Sequence, residues 1–579
     1  MYTLGINAVY HDCSATLVHD GVVVAAAEEE RFTHVKHGKR PVPFTTWQLP
    51  FHAIDYCLSV AGISLADVDH FAYSYDPALL LGAKKDDASI TLPLNPSAAR
   101  AADTNGSPWD PLFLCYIVNA PGQLANGAPH HLEKRFRGVT PESIAAKWHY
   151  VEHHLAHEAS AYLASPFENT AVLTMDGRGE RATTSYGHFV NGHYRRIKQV
   201  NLPHSLGLLY EDLTRYLGFL HSSDEYKVMA LASYGEPRFV REFEEIVQVD
   251  NEGNYTVAPV DFVQKFGPAR ERGGPLEAIH YDIAHSLQHV LEETVKKMAA
   301  WLHRETGADK LCMAGGVALN CVMNARLREH GPFSEIWVQP AAGDSGTSLG
   351  AALWVDREQR GPAAKRWVMH HAFLGPEYSD AEIEQFLKRS KLKYRKLDNV
   401  AEDVAELLAQ NKIIGWFQGR LEFGPRALGA RSILASPIDP EMQSILNEIK
   451  DREDFRPVAP AVIEDRARDW FATDRPGPIV APFMLFIFDV LPEKADRIPA
   501  VRHTDGTARV QTVRRDQHPL YHDLLAAFER HTGVPVLVNT SFNTRGEPVV
   551  CSPRDAIESF WTSPLDALSI GSFLLEKSA

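Results

Sequence analysis

Two histidines one helical turn apart are the sharpest chemical signal in the sequence. The run HHLAH at residues 153–157 precedes an alanine-rich stretch that is typical of a helix. On a helix, His153 and His157 would lie on the same face, at a spacing that allows both imidazoles to bind one metal ion. The alternative interpretation is a polar helix edge whose histidines make ordinary hydrogen bonds.

Two aspartates could complete such a metal site. Asp176 in TMDGRGE and Asp344 in AAGDSGTS each follow an apolar, strand-like run and lie in a turn flanked by glycine. Carboxylates at such strand ends can converge on one cleft, but Asp-Gly is also a common turn pair. Two imidazoles and two carboxylates would suit iron(II) or another first-row divalent ion.

A glycine pair marks a second candidate site. Gly315 and Gly316 stand between a predicted strand and a predicted helix, and Asn320 follows them. Glycines at this position allow close backbone approach, and a helix N-terminus favours a phosphate or nucleotide. Tight packing of the helix against the strand would explain the pair equally well.

Arginines set among glycines form a third feature. In GRLEFGPRALGARS, Arg420, Arg426 and Arg431 are six and five residues apart. Further polar and charged residues follow downstream, namely Lys450, Asp451, Arg452, Arg456, Arg509 and the run Asn539-Thr540-Ser541-Phe542-Asn543. Guanidinium groups in apolar surroundings are costly to desolvate unless they meet an anion, so we favour anion binding over a solvated basic face.

The elements that position these residues follow from hydrophobic patterning. Residues 1–28 read as a hairpin with a turn at His19-Asp20-Gly21 and a further strand, and residues 171–200 repeat that design with an Asn-Gly turn. The recurrence suggests a duplicated α/β fold with a cleft between its halves. Residues 76–140 are rich in Pro, Ala, Asn and Gly, and we expect an irregular insertion there. Residues 283–304 show clear helical periodicity.

A composition shift near residue 360 predicts a domain boundary between about 358 and 372. After it, SDAEIEQFLKRS and AEDVAELLAQN read as helices and KIIGWFQGR as a strand. The chain has 579 residues, which is too many for one hydrophobic core. Two or more domains are therefore expected.

Charge and cysteine usage exclude some classes of protein. The formal net charge of −15 argues against non-specific binding to nucleic acid. Six scattered cysteines without a C-x-x-C pair indicate reduced thiols rather than a disulfide framework. The sequence shows neither a membrane-length apolar run nor a signal peptide pattern, so we expect a cytoplasmic protein.

Taken together, these segments resemble the NodU/CmcH-type O-carbamoyltransferases, a family that makes carbamoylated antibiotics and nodulation factors. The resemblance covers nearly the whole chain and is closest to the antibiotic-tailoring branch. It rests on motifs that occur in one order, namely GINAVYHD, EEERFTHVKHGKRP, EHHLAHEASAY, TMDGRGE, GGVALN, AAGDSGTSLGAAL, GPRALGARS and NTSFNTRGEPVV. Residues 76–140 find no match in that branch, so the identity of the acceptor does not carry over.

The resemblance implies a fold of class α/β and α+β in two domains. Residues 1–360 would form a metal-binding carbamoyl-transfer domain with a duplicated actin-like ATPase fold, as in the tRNA threonylcarbamoyl transferases, with an insertion at about 76–140. Residues 370–579 would form a carbamoyl-adenylate-forming α/β domain similar to threonylcarbamoyl-adenylate synthase.

The resemblance also implies roles for residues in matching motifs. The metal ligands, for Fe²⁺ or a similar divalent ion, would be His153, His157, Asp176 and Asp344. The residues that bind the nucleotide and carbamoyl phosphate would be Asp176, Gly177, Gly316, Asn320, Arg426, Lys450, Arg509, Asn539 and Ser541. The catalytic residues lining the transfer site would be His11, Lys36 and His37.

The implied reaction makes carbamoyl-adenylate from ATP and carbamoyl phosphate and passes the carbamoyl group to a hydroxyl of a small natural product. Carbamoyl phosphate has a doubly charged leaving group, so the site that cleaves it needs several cations. A hydroxyl is a poor nucleophile that needs a base and a charge-stabilising metal, which His11 and the iron could supply. Mg²⁺ is expected with ATP.

The expected partner is a hydroxylated acceptor such as an aminoglycoside or a macrolide sugar, without nucleic acid or membrane, and a homodimer is possible. One alternative is a tRNA threonylcarbamoyl transferase, which the negative charge and the lack of a basic, aromatic stripe disfavour. A second alternative is a non-catalytic nucleotide-binding regulator, which would leave the arginine-rich constellation unexplained.

Overall fold

The computed structural model is a mixed α/β molecule that describes residues 1–38, 49–81, 110–127, 134–361, 364–544 and 546–577. We call residues 1–361 the N-terminal half and residues 364–577 the C-terminal half. The described strands form sheets of five, two, five, eight and three strands.

Two five-stranded sheets organise the N-terminal half. Its strands are β1 (Tyr2–Asn7), β2 (Ser14–His19), β3 (Val22–Glu28), β4 (His70–Tyr73), β5 (Trp148–Tyr150), β6 (Thr170–Met175), β7 (Ala182–Val190), β8 (His193–Asn201), β9 (Val247–Val249), β10 (Tyr255–Val257), β11 (Lys310–Ala314) and β12 (Glu335–Val338). Its helices are α1 (Glu30–Thr33), α2 (Phe51–Ala61), α3 (Ala78–Leu81), α4 (Asp110–Val118), α5 (Ala120–Asn126), α6 (Pro141–Ala145), α7 (His153–Tyr162), α8 (Leu206–Tyr216), α9 (Glu225–Leu231), α10 (Val240–Ile246), α11 (Phe262–Phe266), α12 (Ala278–Thr306), α13 (Cys321–His330) and α14 (Ser345–Arg360).

The two sheets have the same topology. The first has the order β3-β2-β1-β4-β5, and the second has the order β8-β7-β6-β11-β12. In each, three antiparallel strands come first along the chain. A fourth strand then pairs in parallel with the first, and a fifth pairs in parallel with the fourth. The pattern that recurs at residues 171–200 therefore corresponds to a repeated sheet.

Both predicted hairpin turns are present, and both have backbone angles in the left-handed region. The angle φ is 48° at Asp20 and 82° at Gly21, and it is 52° at Asn191 and 79° at Gly192. Two-residue hairpin loops of type I′ need positive φ at both positions, which Asp-Gly and Asn-Gly tolerate well. Local sequence thus sets the register of both hairpins.

Helices α7 and α14 cross between the two sheets. Helix α14 packs on β1, β2 and β4, whereas α7 packs on β6, β7 and β11, and the two helices contact each other. Glycines make this close approach possible. A Cβ at Gly350 would lie 1.7 Å from the carbonyl oxygen of Ala156, and a Cβ at Gly5 would lie 1.9 Å from that of Ser348.

An eight-stranded mixed sheet, in the order β13-β23-β22-β14-β15-β21-β16-β20, dominates the C-terminal half, beside a three-stranded sheet in the order β17-β18-β19. The strands are β13 (Arg395–Lys396), β14 (Ile414–Phe417), β15 (Arg431–Ala435), β16 (Ala459–Ile463), β17 (Phe471–Ala472), β18 (Ile487–Val490), β19 (Thr507–Arg509), β20 (Gln511–Val513), β21 (Val536–Ser541), β22 (Ala567–Ile570) and β23 (Phe573–Glu576). The helices are α15 (Asp380–Arg389), α16 (Val400–Ala409), α17 (Met442–Ile449), α18 (Pro519–Thr532) and α19 (Pro553–Thr562).

Most of the periodic segments have the predicted type, but two helices lie within residues 110–127, where we expected irregular structure. Helix α12 covers the predicted helix at 283–304, and α15, α16 and β14 cover the three elements expected after the composition shift. Residues 110–118 and 120–126 form helices α4 and α5, and the Pro of each lies in the first turn, where it costs no hydrogen bond. Residues 82–109 and 128–133 of that segment lie outside the described residues.

A single cluster of buried hydrophobic residues extends from β2 in the N-terminal half to β23 in the C-terminal half. In the part of the chain that the structure describes, no helix combines the length and the apolar character needed to cross a membrane. The predicted boundary near residue 360 follows α14, and the division into two domains stays a prediction.

Candidate functional site

The four residues predicted as metal ligands lie together between the two sheets of the N-terminal half. His153 and His157 stand on the first two turns of α7, Asp176 follows β6, and Asp344 precedes α14. All four are buried, and one candidate ligand atom from each lies within 4.8 Å of the others. We call this group the histidine–aspartate cluster.

Its distances suit atoms arranged around a common centre rather than pairs of hydrogen-bonded groups. Nε2 of His153 lies 3.5 Å from Oδ1 of Asp344 and 3.8 Å from Oδ2 of Asp176, and Nε2 of His157 lies 3.7 Å from Oδ1 of Asp344. Hydrogen bonds would be about 2.7–3.2 Å long. Ligands held at about 2.1 Å from a metal ion are roughly 3–3.5 Å apart.

Several atoms of the cluster have no hydrogen-bond partner among the described residues. These atoms are Nε2 of His153, both ring nitrogens of His157 and both carboxylate oxygens of Asp344. Unsatisfied buried polar atoms are costly, so a divalent metal ion fits this donor set. On the far side of His153, Nδ1 lies 3.2 Å from the carbonyl oxygen of Ser74, where it can orient the ring.

Charge balance within the cluster keeps its carboxylates ionised. Burial alone would raise the pKa of Asp176, but His153 and His157 outweigh it and hold that pKa well below its ordinary value. Burial also opposes ionisation of Asp344, and His11 and His153 lower its pKa nevertheless. Ionised carboxylates are the form that binds a cation.

His11 and His37 are joined through a residue that the sequence argument did not single out, Asp12. Nδ1 of His11 lies 2.9 Å from Oδ2 of Asp12, and Nδ1 of His37 lies 2.8 Å from Oδ1 of the same carboxylate. Nε2 of His11 faces the histidine–aspartate cluster at 3.8 Å from Oδ2 of Asp344. The two predicted catalytic histidines therefore flank one carboxylate at the edge of the cluster.

The glycine-rich turn after β11 lies against Asp176. The backbone N–H of Gly316 donates to Oδ1 of Asp176 at 2.6 Å, and a Cβ at Gly315, whose φ is 92°, would lie 2.1 Å from the carbonyl oxygen of Met175. Gly315 is therefore needed for the close approach of two strand ends. Gly177 follows Asp176, and its carbonyl accepts a hydrogen bond from Ser205.

Asn320 has a local structural role in addition to the predicted one. Its side-chain oxygen accepts from the backbone N–H of Met323, so it caps α13. Its amide nitrogen donates to Oε1 of Gln288 at 2.8 Å. Nucleotide contact through this side chain would have to compete with both hydrogen bonds.

The C-terminal half contains a second group of predicted site residues, which we call the cation cluster. Its members are Arg426, Lys450, Arg452, Arg456 and Arg509. Burial and its neighbour Arg509 lower the pKa of Arg426 to about 9, and burial and Arg456 lower the pKa of Arg452 to about 9. Among the described residues, Nε of Arg426, Nη2 of Arg452 and Nε of Arg509 have no hydrogen-bond partner.

Lys450 is held by the turn that follows β21. Its ammonium donates to the carbonyl oxygen of Ser541 at 2.5 Å, and to the carbonyl oxygen and Oδ1 of Asn543 at 3.0 and 2.7 Å. Burial, and then the charges of the nearby cations, lower its pKa well below the ordinary value. Asn539 lies two residues before Ser541 on β21, and its side-chain amide donates to Oε1 of Gln511.

The N-terminal half contributes residues to the cation cluster. Nη2 of Arg426 reaches the carbonyl oxygen of Leu319 at 3.4 Å, and the guanidinium of Arg456 lies 4.7 Å from the ring centroid of Tyr226 on α9. Burial lowers the pKa of Lys36, and so does the charge of Arg456. Lys36 therefore lies within electrostatic range of Arg456 and Lys450, whereas its neighbour His37 contacts Asp12.

Arg420 and Arg431 lie outside the cation cluster. Arg420 donates to the carbonyl oxygens of Val24, Leu374 and Gly375. Arg431 donates to main-chain carbonyls of the same region, and its guanidinium lies 3.6 Å from the ring centroid of Phe417. Both arginines hold loops in place, which leaves Arg426 as the candidate anion-binding arginine of that motif.

Sequence reasoning missed two residues that the structure places at these sites. Asp12 belongs to the YHD motif, but only its neighbour His11 was singled out there as a candidate. Tyr226 lies in DEYKVMA, a segment with no chemical signal of its own, because an aromatic residue on a short helix usually belongs to the core.

Comparison with known proteins identifies the family. The model described as "Carbamoyltransferase N-terminus" matches residues 2–79 and 140–353, and the model described as "Carbamoyltransferase C-terminus" matches residues 405–577. An uncharacterised protein of Synechocystis sp. is 39% identical over 100% of this chain and 97% of its own length. Nodulation protein NolNO of Sinorhizobium fredii is 38% identical over 99% of this chain and 80% of its own length.

A shorter match and a structural likeness complete the comparison. Nodulation protein NolO of Bradyrhizobium diazoefficiens is 40% identical over 74% of this chain and 79% of its own length. Among solved structures, T. kodakarensis HypF is 14% identical with a TM-score of 0.33, over 62% of this chain and 48% of that protein. The chain belongs to the carbamoyltransferase family, and it is a carbamoyltransferase enzyme.

Proposed function

We propose that this carbamoyltransferase makes carbamoyl-adenylate from ATP and carbamoyl phosphate and passes the carbamoyl group to a hydroxyl of a small natural product, in antibiotic biosynthesis. The observation that carries the proposal is the cation cluster. Five buried or half-buried cations stand together, and three of their guanidinium groups have nitrogens without a partner among the described residues.

Such a cluster is unfavourable unless anions enter it. Like charges at close range repel in a weakly solvated site, which is why burial and neighbouring cations lower the pKa values of Arg426, Arg452 and Lys450. Carbamoyl phosphate and the phosphates of ATP, with Mg²⁺, would supply the missing negative charge. Arginine forks pair well with phosphate oxygens, and they would stabilise the charge that develops on the leaving group.

The histidine–aspartate cluster would serve the transfer step. His153, His157, Asp176 and Asp344 would hold Fe²⁺ or a similar divalent ion, which when bound would polarise the carbamoyl carbonyl as a Lewis acid. His11 lies beside it and is linked through Asp12 to His37, and either imidazole could exchange a proton with an acceptor hydroxyl. The turn at Gly316 and Asn320 separates this cluster from Arg426 and would receive the adenylate.

The domain assignment belongs to the same proposal. Residues 1–360 would be the transfer domain with a duplicated actin-like ATPase fold, which the identical topology of the two five-stranded sheets supports. Residues 370–579 would be the adenylate-forming domain, similar to threonylcarbamoyl-adenylate synthase. The carbonyl of Leu319 bonds Arg426 across the two halves, so a labile mixed anhydride could pass between the sites with little exposure to water.

The acceptor would be an aminoglycoside, a macrolide sugar or a similar hydroxylated scaffold.

All six cysteines are free, five of them buried, which supports a reducing compartment such as the cytoplasm.

Incubation with ATP, Mg²⁺, carbamoyl phosphate and a panel of hydroxylated antibiotics tests the proposal. We expect pyrophosphate release and a mass gain of one carbamoyl group on at least one acceptor. Carbamoylation that proceeds equally well without ATP would contradict the adenylate route.

A further inference from the structure

We propose that Asp12 is a positioning residue for carbamoyl transfer, which holds the imidazoles of His11 and His37 so that Nε2 of His37 takes the proton from the acceptor hydroxyl. The inference rests on the proposed function and deepens it, because it assigns the proton acceptor and the residue that orients it. Asp12 lies in the loop after β1, and His37 lies in the turn after α1.

The carboxylate of Asp12 gives one oxygen to each histidine. The distances are 2.9 Å from Oδ2 to Nδ1 of His11 and 2.8 Å from Oδ1 to Nδ1 of His37, both within hydrogen-bond range. An ionised carboxylate only accepts hydrogen bonds, so the hydrogen of each pair must be on Nδ1. A neutral His37 ring then has its lone pair on Nε2, as a general base requires.

The environment favours the ionised form of Asp12. Burial raises its pKa, but the charge that His37 carries when protonated and the hydrogen bonds from both histidines outweigh burial and hold that pKa well below the ordinary value. Asp12 therefore stays a carboxylate in the range where enzymes work. It can also stabilise the imidazolium that forms when His37 takes up a proton.

The two Nε2 atoms face different surroundings, and this difference selects His37. Nε2 of His11 points toward the histidine–aspartate cluster, 3.8 Å from Oδ2 of Asp344. Nε2 of His37 is buried and has no hydrogen-bond partner among the described residues. The side chain as a whole is 24% exposed, so the ring lies at the border between the interior and solvent.

The backbone around the pair is fixed in an unusual conformation. The angle φ is 51° at Asp12 and 58° at His37, in the left-handed region that non-glycine residues seldom adopt. Three hydrogen bonds hold it, from N of Asp12 to the carbonyl of His37 at 3.1 Å, from N of His37 to Oε2 of Glu30 at 2.6 Å, and from the side chain of Asn7 to the carbonyl of Asp12 at 3.1 Å. Strain maintained in this way is typical of functional loops.

Transfer of the carbamoyl group to the acceptor breaks one bond for each bond that it forms. The acceptor oxygen attacks the carbamoyl carbon of carbamoyl-adenylate while its proton moves to Nε2 of His37. The bond between the carbamoyl carbon and the phosphate oxygen of the adenylate breaks, and AMP leaves with that electron pair. The products are the O-carbamate, AMP and a protonated His37, which returns its proton to solvent.

The variant Asp12→Asn tests the positioning role. Its amide group offers only one acceptor oxygen, so it cannot hold both histidines in the same protonation pattern. With chemically prepared carbamoyl-adenylate and the acceptor found in the panel, or with glycerol as a surrogate alcohol, kcat for transfer should fall at least about a hundredfold. The KM for the acceptor, pyrophosphate release from ATP and carbamoyl phosphate, and metal content should stay near wild type.

Asp20→Asn is the matched control, since Asp20 also has a left-handed φ, of 48°, but lies on the exposed β2–β3 turn. For His37→Ala, added imidazole should restore part of the transfer rate, which a purely structural role of His37 would not allow. Wild-type kcat in Asp12→Asn, or failure of imidazole to rescue His37→Ala, would overturn the inference.

A readout without turnover separates this inference from the proposed function. In protein loaded with Zn²⁺ and labelled with ¹⁵N-histidine, the resonances lost in His37→Ala identify His37. They should show a proton on Nδ1 in the wild type and a changed pattern in Asp12→Asn. A proton on Nε2 in the wild type would overturn the inference, whereas a wild type that carbamoylates nothing would instead contradict the proposed function.

Discussion

At the scale of single residues, the spacing of His153 and His157 and the turns around Asp176 and Asp344 converge on one buried place. Their pairwise distances of 3.5–3.8 Å leave every member without a proper hydrogen bond to another. The group is therefore a poor structural network and a good set of metal ligands.

We expect His157→Ala to lose most of its bound metal, because it removes one of two imidazole ligands from a four-ligand set. Elemental analysis of the purified protein measures this, with roughly one equivalent of iron or a similar metal expected in the wild type. His154→Gln is the matched control on the same helix, since His154 bonds Thr174 and lies outside the cluster. Equal metal content in wild type and His157→Ala would refute the ligand assignment.

The cation cluster makes a prediction that is independent of the metal. Arg426→Met keeps the buried volume but removes a guanidinium that would meet the phosphate. We expect the KM for carbamoyl phosphate to rise at least about tenfold, because charged hydrogen bonds are worth about 1.5–3 kcal/mol. Metal content should stay unchanged, and pre-formed carbamoyl-adenylate should restore transfer.

Arg515→Met, on an exposed side chain, is the control for loss of one positive charge. Pyrophosphate release by Arg426→Met at the wild-type rate and with the wild-type KM would show that this arginine does not contact substrate. Lys450 is a less clean target, since its hydrogen bonds to Ser541 and Asn543 also hold the turn after β21.

At the scale of elements, the crossing of α7 and α14 positions the histidine–aspartate cluster. One helix carries both histidines, and the other begins directly after Asp344. The glycine at the crossing point lets the backbones touch, so the separation of the ligands depends on a residue that is not itself a ligand. Any side chain there would push the helices apart.

We therefore expect Gly350→Ala to destabilise the protein and to weaken metal binding together. Its Cβ would lie 1.7 Å from the carbonyl oxygen of Ala156, and overpacking typically costs about 1–3 kcal/mol. In a chain of 579 residues, the melting temperature should fall by about 1 °C for each kcal/mol. Gly122→Ala, on α5 with nothing within 4 Å of the added Cβ, should leave the melting temperature unchanged or slightly higher.

A lower melting temperature with full metal content in Gly350→Ala would show that the ligands tolerate a shift of the helices. That outcome would contradict the positioning role of the crossing without affecting the ligand assignment.

At the scale of the whole molecule, the two halves share one hydrophobic core and join at charged contacts. Lys227 on α9 bonds Glu453 of the C-terminal half at 2.8 Å, next to the contact of Tyr226 with Arg456. Because residues of both halves line the cation cluster, we expect substrate binding there to depend on how the two halves pack together. A change that loosens the packing of the two halves should therefore also change the cation cluster.

Acid should destabilise the protein through His518, at the start of α18. Burial lowers the pKa of His518 to about 4, against about 6.5 in an unfolded chain. Between these values the unfolded chain binds a proton that the folded chain does not, so stability falls as the pH drops from 6.5 toward 4. The loss is up to about 3 kcal/mol, at 1.36 kcal/mol per pKa unit.

Chemical denaturation between pH 4 and 7 measures this loss. His518→Gln can still donate to the carbonyl of Gly429 but cannot titrate, so its stability should depend less on pH than that of the wild type. His193→Gln, at an exposed position, is the control. Parallel pH profiles for His518→Gln and the wild type would exclude His518 as the source.

The sequence by itself determined most of the local elements and the family, and it named the candidate residues of each site. Helix α12 and the two hairpins followed from periodicity and from Asp-Gly and Asn-Gly turns, because these signals depend on neighbouring residues only. The metal candidates followed from residue type and one-turn spacing. The two helices within residues 110–127 were not predicted, because the Pro, Ala, Asn and Gly content of residues 76–140 indicated irregular structure.

Only the tertiary structure decided which predicted residues share a site. It separated Arg420 and Arg431 from Arg426, and it placed His37 beside Asp12 and Tyr226 against Arg456. These outcomes depend on contacts between residues up to several hundred positions apart. No local sequence pattern predicts them. The hydrogen bonds and the burial of a charged side chain depend on the backbone groups and charges around it, and these come from distant parts of the chain.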